Sequence, residues 1–237
     1  MFIVFRVDAS NIIGTGHLKR CLNLARQLKK KGNRVEFFCQ KFRGDLTYEI
    51  KEKKFSLNLI KNKFSRLKKK ILSNHFRLWS KDMQIDDVNF LKKKLKRKID
   101  WIIVDHYGLN YLWEREAAKM AKKIFIIDDL KKNTHYCDYY LNYHHNFFKK
   151  TDEQLLIKKD KRVLKGLNFT LLGNELKKLK SKIKKKRDRY KMFLFMGSVD
   201  RKNFSLKILK LLDSKLFLKY KILTIIGSNN PKKDLIK

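Results

Sequence analysis

Hydrophobic and polar positions alternate along the first half of the chain in the order typical of an α/β protein. Short apolar runs predict strands near residues 2–7, 34–39, 100–105, 124–128 and 138–142. Apolar residues at helical spacing predict helices near residues 17–31, 44–53, 85–97 and 111–122. Because strand and helix alternate, we expect a parallel sheet with right-handed crossovers.

A second strand, helix and strand follow a long charged stretch. Residues 151–190 are rich in Lys and lack a strong apolar period, whereas the pattern resumes over residues 191–226. We therefore predict an N-terminal Rossmann-like domain over residues 1–150, a charged connection over 151–190 and the start of a second domain over 191–237. Ligands of such open sheets bind at the carboxyl ends of the strands.

The segment from Arg6 to Arg20 joins the first predicted strand to the first helix through a turn with two glycines, Gly14 and Gly16. His17 then falls in the first turn of the helix. Unpaired amides and the helix dipole favour an anion there and disfavour an imidazolium. A neutral His17 beside a bound phosphate can take a proton from water. The alternative, that the glycines only make a tight turn and His17 has no chemical role, stays open.

The amino-acid composition is strongly basic, but it says little about function. The net charge is +37, but the excess is Lys spread through helices and loops, so no specific nucleic-acid binding is predicted. The cysteines Cys21, Cys39 and Cys137 are odd in number and lack metal-site spacing, so neither a disulfide framework nor a zinc site is expected. We expect no membrane span and no signal peptide, and hence a cytoplasmic protein.

Four spaced motifs carry a family resemblance. RVDASNIIGTGHLKR over residues 6–20, DHYGLNYLWE over 105–114 and IDDLKKNTHYCD over 127–138 follow one another in the chain. FLFMGSVDRKN over 193–203 is similar to a glycine-rich turn of a second domain, with Met196 in place of its first glycine. Together these motifs resemble the PseG family, the UDP-sugar hydrolases of pseudaminic acid biosynthesis.

The resemblance implies a GT-B-like α/β fold, with two Rossmann-like domains and a cleft between them. The family continues beyond the position of Lys237, so the second domain is expected to be incomplete here. The implied reaction removes UDP from UDP-2,4-diacetamido-2,4,6-trideoxy-β-L-altropyranose. Water attacks the anomeric carbon with inversion, and no metal or other cofactor is required. The product is expected to serve a cell-surface glycan, as in flagellin glycosylation.

The resemblance also implies roles for individual residues. His17 is the expected general base, and Asp8 is expected to orient its imidazole or the water. The remaining residues are expected to bind the substrate: Arg6, Gly14, Thr15, Gly16, Arg20, Tyr107, Gly197, Ser198 and Asn203.

Two other functions stay open. One is a related glycosyltransferase, which passes the sugar to an acceptor hydroxyl instead of water. The other is a non-catalytic remnant of the family, for which Met196 and the short second domain are the evidence. The expected partner is the UDP-sugar alone. We expect a monomer, with a separately encoded C-terminal remainder as an alternative.

Overall fold

The computed structural model of the chain separates into two compact units, Met1–Gly173 and Asn174–Lys237. It describes residues 1–10, 13, 15–41, 45–60, 78–130, 133–143, 156–173, 175–176, 179, 191–197, 199–200, 202–212, 219–227, 230 and 232–236. Among these residues, no helix is both long enough and apolar enough to cross a membrane.

A seven-stranded parallel sheet with the order β3-β2-β1-β4-β5-β6-β7 forms the centre of the first unit. Its strands are β1 (Phe2–Val7), β2 (Arg34–Gln40), β3 (Ser56–Ile60), β4 (Ile99–Asp105), β5 (Ala121–Ile127), β6 (Tyr139–Asn142) and β7 (Arg162–Lys165). The chain reverses its direction of travel across the sheet between β1 and β4. A crevice at such a point is where doubly wound sheets place their ligands.

Within the described part of this unit, the helices are α1 (Gly16–Lys30), α2 (Tyr48–Glu52), α3 (Lys81–Lys94) and α4 (Tyr111–Ala117). Two of them begin at a capping side chain: Ser80 accepts a hydrogen bond from Met83 N, and Asn110 accepts one from Leu112 N. A 3₁₀ turn, Leu167–Phe169, follows β7.

Apolar side chains cover both faces of the sheet. Val4 of β1 belongs to one buried cluster with Trp113 of α4, whereas the adjacent Phe5 belongs to a second cluster with Leu18 of α1. Successive side chains of a strand point to opposite faces, so a strand covered on both sides is apolar throughout. This explains the unbroken apolar runs of β1 and β4.

The second unit contains the parallel pair β8 (Lys191–Leu194) and β9 (Lys221–Thr224). Between them in the chain lies α5 (Phe204–Leu211), which Asp200 caps by accepting hydrogen bonds from the amides of Phe204 and Ser205, each 2.8 Å long. The strand, helix and strand predicted over residues 191–226 are thereby confirmed.

The prediction for the first unit is right in its order and incomplete at the edges of the sheet. All five predicted strands and four predicted helices occur, although α2 and α4 are shorter than expected. Two outer strands, β3 and β7, were not predicted. Their residues are largely half-buried or exposed, so their apolar pattern is weak. β7 lies within residues 151–190, the stretch predicted to be a charged connection.

Candidate active site

The candidate site lies at the carboxyl edge of the large sheet, where α1 begins. The first turn of α1 contains no acidic residue, and its amides point toward this edge. His17 is the second residue of α1 and is mostly buried, with 8% of its surface exposed. The apolar residues that predicted this helix, Leu18, Cys21 and Leu22 among them, are buried against the sheet and fix its direction.

His17 forms a dyad with Asp105, the last residue of β4. The distance from His17 Nδ1 to Asp105 Oδ1 is 2.5 Å, and the carboxylate is fully buried. Arg20 Nη2, which only donates, also lies 3.1 Å from His17 Nδ1. The contact with the carboxylate, which only accepts, is the shorter one, so we place the proton on Nδ1 and the lone pair of a neutral ring on Nε2. A histidine held in this way can accept a proton from water.

Arg20, one turn further along α1, keeps this carboxylate ionised. Its Nη2 donates to Asp105 Oδ1 at 2.5 Å and its Nε to Asp105 Oδ2. Burial alone raises the pKa of Asp105, but the His17 ring and the Arg20 guanidinium outweigh it and hold that pKa far below its usual range. Asp105 is therefore ionised at neutral pH.

A second carboxylate, Asp129 in the loop after β5, binds the other end of Arg20. Arg20 Nη1 donates to Asp129 Oδ2 at 2.7 Å, and the hydroxyls of Tyr107 and Tyr143 also donate to Asp129. The ring of Tyr107 stands edge-on to that of His17, with 4.5 Å between the ring centroids and 82° between their planes. Tyr107 thus bounds the space beside the imidazole.

These side chains line a cavity of about 470 Å³ within the first unit. Its polar wall contains His17, Arg20, Asn23, Tyr107, Asp129 and Tyr143. Ile13, Leu171 and Leu172 contribute apolar surface. Because Arg20 is shared between two carboxylates, its charge is already balanced within the protein.

Gly108, beside Tyr107, is required by close packing. A Cβ at this position would lie 2.6 Å from Trp79 Cδ1 and 2.8 Å from His106 Cε1, closer than side chains approach one another. The glycine of the D-H-Y-G-L motif therefore allows the Tyr107 loop to pass beneath Trp79.

The structure corrects the expected role of Arg6. Its side chain is completely buried and bonds to Asp8 and Asp87, with Nη1 2.6 Å from Asp8 Oδ1 and Nη2 2.8 Å from Asp87 Oδ2. An arginine enclosed in this way has no surface to offer a substrate. Arg6 ties β1 to α3 instead of binding a ligand.

Asp8 was expected to orient either the imidazole of His17 or the water; the first of these roles is corrected, and the second stays a prediction. Asp8 accepts hydrogen bonds from Arg6, from the backbone amide of Gln40 at 2.7 Å and from His106 Nε2 at 2.9 Å. Burial raises the pKa of Asp8, but Arg6 and His106 outweigh it and hold that pKa far below its usual range. The imidazole that Asp8 contacts is that of His106, and Asp105 takes the place expected for Asp8 beside His17.

The other predicted site residues fall into three groups. Thr15 and Gly16 lie at the start of α1 beside His17, whereas Gly14 and Ser198 lie outside the described residues. In the second unit, Gly197 has φ +84° and Asn203 has φ +55°, so both occupy the left-handed region at the turn before α5. Asp200 in this turn already binds two amides of α5, which lowers its pKa although burial raises it.

Asp105 and Asp129 were missed as site residues. The signal was present, because each follows an apolar strand predicted to end at the ligand-binding edge. The sequence around these two residues does not indicate that Asp105 pairs with His17, or that both carboxylates bind Arg20. Among the described residues, no group of three or more His, Cys, Asp or Glu side chains is arranged to hold a metal ion.

Comparison with known proteins agrees with the fold and with the motifs. No family model matches the chain. MurG of Acinetobacter baumannii is similar in structure, with a TM-score of 0.50 and 11% identity, over 97% of this chain and 68% of that one. That likeness concerns the fold alone, a GT-B-like α/β fold.

A protein of Campylobacter jejuni, UDP-2,4-diacetamido-2,4,6-trideoxy-β-L-altropyranose hydrolase, is 30% identical over 233 residues. The match covers 98% of this chain and 71% of the relative. A similarity of this extent, together with the histidine-bearing turn at the carboxyl edge of the sheet, defines the family. The chain belongs to the UDP-2,4-diacetamido-2,4,6-trideoxy-β-L-altropyranose hydrolases.

Proposed function

We propose that this protein hydrolyses a UDP-linked 2,4-diacetamido-2,4,6-trideoxy sugar to UDP and the free sugar, with His17 as general base. The observation that carries the catalytic assignment is the His17–Asp105 dyad, which opens into a cavity at the switch point of the sheet. The relative from C. jejuni supplies the substrate class.

The proposed reaction has one displacement step. His17 Nε2 accepts a proton from water as the water oxygen bonds to the anomeric carbon. The bond between that carbon and the diphosphate oxygen breaks, and UDP leaves with the bonding electron pair. Attack from the opposite side inverts the configuration. Asp105 holds the ring in the tautomer that accepts the proton and stabilises the imidazolium that results.

Charge that develops on the leaving diphosphate needs donors, and the start of α1 offers them. Backbone amides at Thr15, Gly16 and His17 lie at the positive end of a helix of 15 residues. Gly14, Gly197, Ser198 and Asn203 are proposed to make further contacts with the substrate. Arg20 and Tyr107 are proposed to face the sugar from the polar wall of the cavity.

The test is UDP release from the UDP-linked diacetamido-trideoxy-altrose, followed by NMR. Positioned proton transfer contributes about 10²–10⁴-fold, so His17→Ala is expected to lower kcat by that factor and leave KM nearly unchanged. Lys30→Ala, an exposed change in the last turn of the same helix, is the matched control and should retain full activity. Equal rates for His17→Ala and the unchanged protein would overturn the assignment.

The same spectra distinguish hydrolysis from the alternatives. A hydrolase yields free sugar whose first-formed anomer is inverted. A glycosyltransferase would release UDP only when an acceptor is added, and a non-catalytic remnant would release none. The name of the relative favours the hydrolase.

We further propose that the reaction takes place in the cytoplasm, on the route to pseudaminic acid for a cell-surface glycan such as that of flagellin. A monomer is expected, and light scattering at the concentration of the assay tests it. If activity requires a separately encoded C-terminal partner, UDP release should appear only after that polypeptide is added.

A further inference from the structure

His135 is a buried charged residue that the proposed reaction does not use. It belongs to the H-x-C-D stretch, and 3% of its surface is exposed. Its Nδ1 lies 2.6 Å from Glu114 Oε1, and its Nε2 lies 3.3 Å from Asp128 Oδ2. Both ring nitrogens face carboxylate oxygens, which only accept, so both carry protons and the ring is an imidazolium.

Asp128, one of the two partners of His135, shapes the chain around its neighbour Asp129. Asp128 Oδ1 accepts a hydrogen bond from the amide of Leu130 at 2.9 Å, which closes an Asx turn centred on Asp129. Asp128 Oδ2 is held by His135 and by the hydroxyl of Tyr140, 3.2 Å away. The conformation of this turn therefore depends on how the Asp128 carboxylate is fixed.

Asp129 is the residue that this turn presents to the cavity. Its carboxylate receives Arg20, Tyr107 and Tyr143, and Tyr107 contacts the ring of His17. A second link runs from the same loop, because Asn133 Nδ2 donates to the carbonyl of Tyr107 at 3.0 Å. A displaced Asp128 would thus move the acceptor that sets the position of Tyr107 and Arg20.

We infer that His135 is a positioning residue of the active site: its imidazolium joins Asp128 to Glu114 of α4 and so fixes the turn that presents Asp129 to Tyr107 and Arg20. The inference extends the proposed function and depends on it for its kinetic consequence. The structural consequence, the position of Tyr107, does not require that the reaction be the one proposed.

The charged groups around His135 agree with this role. Glu114 faces it from α4, Asp128 from the end of β5 and the Tyr140 hydroxyl from β6. Burial lowers the pKa of His135, but the two carboxylates outweigh it and raise that pKa to about 10. The stabilisation by the charged ring is complete below the ordinary histidine pKa and is lost as the pH rises through about 10. The ring is thus charged at neutral pH.

The first experiment compares His135→Gln with Ile99→Ala. Ile99 is buried at the amino end of β4, the opposite end of the sheet from the cavity, so its truncation destabilises the fold without touching the site. We expect His135→Gln to lower kcat by about 10-fold or more, because small displacements of catalytic groups carry large kinetic costs. KM should change little. If Ile99→Ala lowers the stability of the fold as much as His135→Gln does, it should still have the kcat of the unaltered protein.

A second variant separates positioning from stability. His135→Gln alone leaves the buried carboxylate of Glu114 without its charged partner, and adding Glu114→Gln removes that charge. The double variant should therefore unfold at a higher temperature than His135→Gln. Asp128 still lacks its charged partner, so kcat should remain low. Recovery of kcat together with stability would overturn the inference, because His135 would then act only through the stability of the fold.

NMR supplies a measurement that is independent of activity. The imidazole ¹⁵N signals of His135 should be those of an imidazolium at neutral pH, and the ring signals of Tyr107 should shift in His135→Gln and not in Ile99→Ala. Unchanged Tyr107 signals in His135→Gln would overturn the inference. If the unaltered protein releases no UDP, the proposed function fails, and the Tyr107 signals still decide the role of His135.

Discussion

Asp105 has three partners on α1, namely His17, Arg20 and Cys21, and in the proposed reaction His17 alone transfers a proton. Its Oδ1 lies 2.5 Å from His17 Nδ1 and also 2.5 Å from Arg20 Nη2. Arg20 supplies the positive charge that keeps the buried carboxylate ionised, and the carboxylate fixes the tautomer of His17. Removal of the negative charge should therefore affect catalysis more than it affects substrate affinity.

Asp105→Asn tests this arrangement. The amide of Asn can donate to Nδ1, which places the ring proton on Nε2 and removes the base. We expect kcat to fall by about 10²–10⁴-fold, with a smaller change in KM. Steady-state UDP release measures both constants.

The control for this change lies on the same strand. Asp100, near the amino end of β4, accepts hydrogen bonds from Phe2 N and Lys122 at the far side of the sheet. Asp100→Asn should leave kcat unchanged. A kcat for Asp105→Asn within about twofold of the unaltered protein would show that the carboxylate does not set the tautomer.

At the scale of elements, Arg6 joins three pieces of the first unit. It extends from β1 to Asp87 of α3, with both Nε and Nη2 in contact with that carboxylate. It also binds Asp8, which accepts a hydrogen bond from the amide of Gln40 at the end of β2. Asp8 and Asp87 are buried together with Arg6, so the guanidinium offsets the free-energy cost of burying their negative charges.

Arg6→Met should therefore destabilise the protein by about 3–5 kcal/mol, the usual cost of breaking a buried ion pair from one side. Urea unfolding followed by circular dichroism measures the change. Arg34→Met is the control, because the Arg34 side chain is 61% exposed and its partner Glu36 keeps a second donor in Asn58. Pairs with an exposed cation of this kind contribute about 0–1 kcal/mol. Equal effects of the two changes would contradict the structural role of Arg6.

Elements were predicted well where burial on both faces produced an unbroken apolar run, as in β1 and β4. β3 and β7 consist of short, half-exposed segments, SLNLI and RVLK. Their apolar residues are too few and too irregularly spaced to distinguish a strand from a loop. These segments become strands because β2 and β6 offer them unpaired backbone groups. Tertiary pairing decides such edge strands, and local sequence does not.

The whole molecule carries a net charge of +37, from 60 Lys and Arg against 23 Asp and Glu. The cavity does not share this imbalance, because Arg20 is paired with two carboxylates. Like charges in such excess repel one another and oppose the compact state.

Salt should stabilise this protein. Raising NaCl from about 20 mM to about 300 mM shortens the screening length to less than 10 Å, which weakens the repulsion between surface lysines, so Tm is expected to rise by several degrees. Differential scanning fluorimetry measures it. NaCl and KCl at equal concentration should act alike, and a Tm that is constant or falls with salt would contradict the expectation.

The sequence by itself determined the order of strands and helices, the parallel sheet and the place of His17 at the start of α1. These features depend on local patterns: apolar runs, helical spacing and a glycine turn. Only the tertiary structure decided that Asp105 faces His17, that Asp8 faces His106 and that Arg6 is enclosed. Each of these contacts joins residues 81 to 98 positions apart. Their geometry follows from strand register and helix packing, which no local pattern specifies.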